Sequence, residues 1–141
     1  MTGASSGIGW HLARLLARQG VRLVVNARRS DRLTELAETI SGEGGTCLTY
    51  PGDITQPEVR RGLLEQCTGE LGGVDILINN AGIGAMGRFE EADEQRMRQI
   101  FEVNFFAVAE MTRIAIPALK QGEDPLVVNI SSVLGHRAAP L

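Results

Sequence analysis

Thr2-Gly3-Ala4-Ser5-Ser6-Gly7-Ile8-Gly9 sets three glycines where an incoming strand would turn into a helix. Closely spaced glycines let backbone N–H groups approach a pyrophosphate, and the helix N-terminus adds a favourable dipole. Gly3 suits the tight turn. Gly7 leaves no side chain between backbone and ligand. Gly9 allows close packing of helix on sheet, and Ser5, Ser6 and Ile8 complete the loop. The spacing is G-x-x-x-G-x-G rather than G-x-G-x-x-G. Behind it, Ile8, Leu12, Leu15 and Leu16 fall at helical spacing. A strand, Val21–Ala27, follows. Glycines alone also fit a plain turn; the helix and strand behind them favour a nucleotide site.

A dinucleotide fold usually carries an acidic residue about 20 positions beyond the glycines, on the ribose 2′-hydroxyl. Here Asn26-Ala27-Arg28-Arg29 occupy that neighbourhood. No carboxylate is there to repel a 2′-phosphate, and Arg28 and Arg29 supply two guanidiniums suited to bidentate pairing with one. A solvated charge pair opening the next helix is the plainer alternative.

Further outward, strand-like and helix-like runs alternate. The strands are Val21–Ala27, Thr46–Pro51, Val74–Asn79 and Leu126–Ile130; helices follow Gly7, Ser30, Thr55 and Ala92. Thr55-Gln56-Pro57-Glu58 reads as a capping box with Pro in the first turn. The last helix places Met97, Ile100, Phe101, Asn104, Val108, Met111 and Ala115 on roughly one apolar side, with Pro117 near its end. A buried Asn104 needs hydrogen-bond partners. Such alternation predicts an α/β fold, a doubly wound parallel sheet covered on both faces.

In this order and spacing, T-G-x-x-x-G-I-G, Asn79-Asn80-Ala81-Gly82 and Asn129-Ile130-Ser131-Ser132 resemble the short-chain dehydrogenase/reductase family. The resemblance covers essentially the whole chain. It implies NAD(P)-dependent oxidation and reduction of alcohols and carbonyls on a Rossmann-type fold. Asp53, in Gly52-Asp53-Ile54-Thr55, matches the family's Asp that contacts adenine, with Ile54 beside it. Asn80, Ala81 and Gly82 join the cofactor-binding set. Asn104 matches the Asn that bends the helix and helps to hold a water in a proton relay. Ser132 matches the Ser that hydrogen-bonds the substrate oxygen, and Asn104 and Ser132 are the catalytic candidates. With Arg28 and Arg29 at the strand end, NADP(H) is expected over NAD(H).

The family's acid/base group is a Tyr followed by Lys in Y-x-x-x-K, beyond the Ser. That position falls past Leu141, and the only Tyr and Lys here, Tyr50 and Lys120, do not form the motif. The 141 residues by themselves are therefore expected to be inactive. Only Met1 precedes the glycine turn, so the first strand and the C-terminal strands and helices are expected to be missing from a longer parent. The neighbours of the first strand should then flank a slot beside Thr2, close onto each other or accept another chain's strand, and the 141 residues should not form a stable monomer. A non-catalytic dinucleotide-binding remnant or sensor would also lack the Tyr and Lys, and remains an alternative. A methyltransferase would carry an acidic residue where Arg28 stands.

The remaining features bound the partners. The chain is 43% hydrophobic with net charge −3, without the charge bias of a nucleic-acid binder, and contains no apolar run long enough to span a membrane. Residues 1–141 read as one partial dinucleotide-binding domain without a second domain. The expected partner is a small alcohol or carbonyl substrate; the parent is expected to be a cytoplasmic homo-oligomer. Cys47 and Cys67 read as reduced, packed thiols, and no metal site is expected. His11 reads as a surface or packing residue, and His136 could line a substrate pocket. Trp10, Phe105 and Phe106 read as core or interface.

Overall fold

The computed structural model describes residues 1–135. His136 lies outside the described residues. Helices and parallel strands alternate as α1 (Gly7–Arg18), β1 (Leu23–Ala27), α2 (Ser30–Gly42), β2 (Cys47–Pro51), α3 (Pro57–Leu71), β3 (Ile76–Asn79), α4 (Glu94–Phe101), α5 (Ala107–Leu119) and β4 (Leu126–Asn129). All four predicted strands form, each trimmed by a residue or two at an end.

β1 pairs β2 with Leu23 opposite Cys47 and Ala27 opposite Pro51. β3 pairs β4 with Ile76 opposite Leu126 and Asn79 opposite Asn129. β1 and β3 do not pair with each other. Met1 and Thr2 lie between them. Asn26 N donates to Met1 O (2.9 Å), Ala4 N to Asn26 O (3.1 Å) and Thr2 N to Ile78 O (3.0 Å). The spatial order is β2, β1, the segment from Met1, β3, β4. Of the three arrangements expected for the centre, the two neighbours stand apart with this segment between them.

Every residue of β1 is buried, as expected of a strand covered on both faces. Because successive strand residues point to opposite faces, Leu23, Val25 and Ala27 pack with Ala13, Leu33, Leu36 and Ile40, while Val24 packs with Leu63, Leu77, Met111 and Ala115. α1 and α2 thus cover one face, α3 and α5 the other. This is the doubly wound arrangement.

Three local expectations need correction. The buried stripe of α1 is Gly9, Ala13 and Ala17, whereas Ile8 and Leu15 are 64% and 57% exposed. Small residues let this helix lie close to β1, which a Leu stripe would not. The N-cap of α3 is Gln56, not Thr55, because the Thr55 hydroxyl donates to Asp53 Oδ1 instead (2.9 Å). The last long helix contains a π-helical turn, Glu102–Phe106, between α4 and α5. A π turn holds an extra residue, so positions before it swing around the axis. Met111 and Ala115 are buried, but Phe101 and Asn104 are exposed.

Phe105 and Phe106 are also exposed and stack edge to face on each other. His11 is exposed. Both cysteines are free thiols; burial pushes Cys47 up to about 11 and raises Cys67 as well. Among the described residues, no helix is long and apolar enough to cross a membrane.

Gly62, in the middle of α3, makes a test of this packing. Glycine inside a helix normally costs about 0.5–1 kcal/mol relative to Ala. Here a Cβ would overlap the Tyr50 hydroxyl and come within 2.5 Å of its Cζ. Gly62→Ala should therefore destabilise by about 1–3 kcal/mol, the range for overpacking. Tyr50→Phe should recover part of that loss. Thermal unfolding in which Gly62→Ala is more stable than the wild type would contradict the packing.

Candidate functional site

The carboxyl ends of β1 and β3, with the glycine turn between them, frame a cleft of about 400 Å³. Gly3, Ser5, Ser6, Ile8 and Gly9 line one wall, and Arg28, Arg29, Asp53 and Ile54 line the next. Asn80, Ala81 and Gly82 close it. Each of these was a sequence candidate, and the fold brings them together. Gly7 opens α1 at φ +56 with open space where its Cβ would stand, but is not among the lining residues. Asn26, Ala27, Gly52, Ile83 and Val103 line the cleft as well and were not anticipated.

The turn is held from behind. A Cβ on Gly3, whose φ is +70, would reach 2.6 Å from Ala81 Cα. A Cβ on Gly9 would overlap Gly3 O and reach 2.5 Å from Asn80 Nδ2. The Thr2 hydroxyl accepts from Asn80 N (3.1 Å) and Ala81 N (3.0 Å). The Asn80 amide donates to Thr2 O (3.1 Å) and Gly3 O (2.9 Å). Ser6, the extended N-cap of α1, makes no side-chain cap. The first N–H groups of a helix have no partner inside it, so this N-terminus meets the cleft with donors to spare.

The two arginines play different parts. Arg29 braces the turn: its guanidinium donates to Ser5 Oγ (3.0 Å), Ser5 O (3.3 Å) and Ser6 Oγ (2.8 Å). Arg28 lines the cleft and makes no hydrogen bond or ion pair among the described residues. Asn26, 1% exposed, donates to Tyr50 O (2.9 Å) and Gly52 O (3.2 Å), which fixes the turn leading to Asp53. Its only sequence signal was a polar residue in an otherwise apolar strand.

Asp53 Oδ1 accepts from Thr55 N (3.0 Å) and the Thr55 hydroxyl. Its Oδ2 and the neighbouring Ile54 N–H have no partner among the described residues. An acceptor and a donor side by side match the edge of adenine, whose amino group donates beside an accepting ring nitrogen. These unfilled groups, with the glycine turn and Arg28, fit an adenine dinucleotide.

Asn104 sits in the π-helical turn. Its Nδ2 donates to Ile83 O (2.8 Å) and its Oδ1 accepts from Ile83 N (2.9 Å). The amide is satisfied by backbone, although the residue is exposed rather than buried. Ser132 stands beyond β4, ahead of a short 3₁₀ turn (Val133–Gly135), and its Oγ accepts from Leu134 N (3.2 Å). That leaves the hydroxyl proton available to a substrate oxygen. Neither Asn104 nor Ser132 lines the cleft itself. Between β3 and β4, Asn79 Nδ2 donates to Asn129 Oδ1 (2.9 Å) and the Thr112 hydroxyl (3.1 Å), tying the strand that leads to Ser132.

Known proteins resemble the chain in sequence and in fold. A family model described as short chain dehydrogenase matches residues 1–141. The human dehydrogenase/reductase SDR family member 11 is 34% identical, over 100% of this chain and 56% of its own length. An alcohol dehydrogenase from Thermococcus sibiricus, complexed with 5-hydroxy-NADP, superimposes with a TM-score of 0.92 at 32% identity, covering 99% of this chain and 60% of that one. L-Sorbose reductase from Gluconobacter frateurii, complexed with NADPH and L-sorbose, gives a TM-score of 0.87 at 31% identity, covering 94% and 51%. The chain spans about half the length of the curated relatives it matches. With its Rossmann-type strands, its glycine turn and these matches, the chain belongs to the short-chain dehydrogenase/reductase family of oxidoreductases.

Proposed function

We propose that the protein is an NADP(H)-dependent oxidoreductase of alcohols and carbonyls, and that residues 1–141 are the greater part of its dinucleotide-binding domain. The observation that carries the cofactor choice is Arg28, a cation in the cleft with no partner of its own among the described residues. The NADP-type ligands held by two structural neighbours support it. When bound, the nicotinamide supplies or takes up the hydride. Gly3, Ser5, Ser6, Gly7, Ile8 and Gly9 receive the pyrophosphate on backbone donors, Arg28 pairs with the 2′-phosphate, and Arg29 keeps the turn in shape. Asp53 and Ile54 meet the adenine; Asn80, Ala81 and Gly82 close the other side. Ser132 donates to the substrate oxygen as negative charge develops there. Asn104 positions the Ile83 segment and contributes to the proton relay.

In this reading the 141 residues bind cofactor but turn over no substrate, because they hold no Y-x-x-x-K. A positioned proton donor typically contributes 10²–10⁴-fold. The protein acts as a cytoplasmic homo-oligomer, with no nucleic-acid or membrane partner. Titration with NADPH and NADH tests the cofactor: NADPH should bind at least about tenfold more tightly, the worth of one charge-assisted hydrogen bond. Equal affinities would defeat the assignment. In any form that turns over alcohols, Ser132→Ala should cut kcat by about 10²–10³-fold, as for loss of an oxyanion donor, and leave cofactor Kd nearly unchanged. A variant with wild-type kcat would remove Ser132 from the site.

A further inference from the structure

Arg60 lies in the first turns of α3 and is only 8% exposed, yet no carboxylate stands within ion-pair distance of it among the described residues. Burying a guanidinium without a counter-ion is costly. Its one hydrogen bond among the described residues runs from Nη1 to Ile54 O, at 2.7 Å. Ile54 is 6% exposed and lines the cleft, and its own N–H has no partner among the described residues. Across the helix layer, the Glu110 carboxyl on α5 is lowered chiefly by Arg113 and only slightly by Arg60.

From this geometry we infer that Arg60 is a positioning residue for the base of the dinucleotide: it holds the Ile54 carbonyl from beneath, and so aims the Ile54 N–H and Asp53 Oδ2 together at the adenine edge. Of the two peptide units that meet at Ile54, the one before it is held through Asp53 O by Gln56 N, and the one after it by Thr55 N on Asp53 Oδ1 and by Arg60 on Ile54 O. Thr55 ties Asp53 by one oxygen only, and Gln56 N bonds back to Asp53 O (3.0 Å). Arg60 supplies the remaining restraint on the Ile54 side. A charged donor on a carbonyl also polarises the adjoining peptide group. The inference rests on the dinucleotide reading proposed above, and concerns base recognition rather than cofactor choice.

The test compares two probes that differ only at the base, NADP⁺ and its hypoxanthine analogue. The analogue lacks the amino donor and carries a ring N–H where adenine has an acceptor. The wild type should prefer NADP⁺ by about tenfold, the worth of one good base-edge pairing. In Arg60→Met that preference should fall to about twofold or less, through weaker NADP⁺ binding, while the Kd of the hypoxanthine analogue changes little. A purely structural arginine would lower the melting temperature and weaken both probes alike. Arg60→Lys, which keeps a charged donor, should restore much of the preference; if Arg60→Met does not fold, Arg60→Gln, with a shorter and neutral side chain, takes its place, and a retained tenfold preference there would overturn the inference. Retained tenfold preference in a folded Arg60→Met overturns it as well. Absence of any NADP⁺ binding to the wild type overturns the dinucleotide reading and this inference together, whereas equal binding of both probes by the wild type overturns only the base recognition.

Discussion

Replacing Gly9 by Ala is expected to abolish measurable dinucleotide binding and to lower the melting temperature by roughly 10 °C. The new Cβ overlaps Gly3 O, and comes within 2.5 Å of Asn80 Nδ2 and 3.0 Å of Ala4 Cα. Two of these three atoms are backbone, so no change of rotamer relieves the contact. Overpacking of this kind costs about 1–3 kcal/mol. Displacing the Asn80 amide also breaks its bonds to Thr2 O and Gly3 O, at about 0.5–1.5 kcal/mol each. The total, about 2–6 kcal/mol, is a large part of a typical domain stability of about 5–15 kcal/mol. The turn that receives the pyrophosphate would move with it. Gly7→Ala supplies the contrast. Its Cβ meets open space, so only the left-handed backbone at φ +56 resists it, at about 1–2 kcal/mol. Calorimetry and NADPH titration of both variants check the argument. Gly9→Ala with wild-type melting and wild-type affinity would show that the close approach is not what the structure says it is.

Arg28→Asp should reverse the cofactor preference. The substitution removes hydrogen bonds to a doubly charged phosphate, worth about 1.5–3 kcal/mol each, so NADPH should bind about 10–100-fold more weakly. It also sets a carboxylate where dinucleotide folds usually hold the ribose 2′-hydroxyl, so NADH should bind more tightly than before. Arg29→Ala should behave differently. Arg29 spends its guanidinium on Ser5 and Ser6, so its loss loosens the turn and should weaken both cofactors by similar factors. Dissociation constants for both nucleotides in both variants separate the roles. An Arg28→Asp protein with unchanged NADPH affinity would show that the 2′-phosphate lies elsewhere.

The parts legible in the sequence were those written in local chemistry. The three glycines, the alternation of apolar runs, the arginine pair after β1 and the Asn80-Ala81-Gly82 turn each declare a backbone shape or a charge without reference to distant residues. The parts that escaped depend on partners far along the chain. The Ile8, Leu12, Leu15, Leu16 spacing located α1, and Leu12 and Leu16 pack on the core, but spacing did not show that the side laid tight against β1 is Gly9, Ala13 and Ala17, where larger side chains would not fit. The Thr55 capping box lost to Asp53, two residues away, which captured the hydroxyl. The two arginines looked equivalent until Ser5 and Ser6 came beside one of them. The extra residue in the Glu102–Phe106 turn has no periodic signature at all: it shifts the phase of the helix once, and a spacing rule averages over it.

That turn has one consequence for which residues position 104 can accept. The Asn104 side chain meets both the N–H and the C=O of Ile83, as a neighbouring strand's backbone would. A primary amide offers one donor and one acceptor at the right separation. Aspartate has almost the same outline but only acceptors when ionised; it would keep the N–H and turn its second oxygen towards the carbonyl. Leucine would fill the volume and answer neither. The position therefore discriminates between near-isosteres by the direction of their protons rather than by size. Deamidation there, which changes one atom and scarcely any volume, would unfasten the loop between β3 and α4 on one side only.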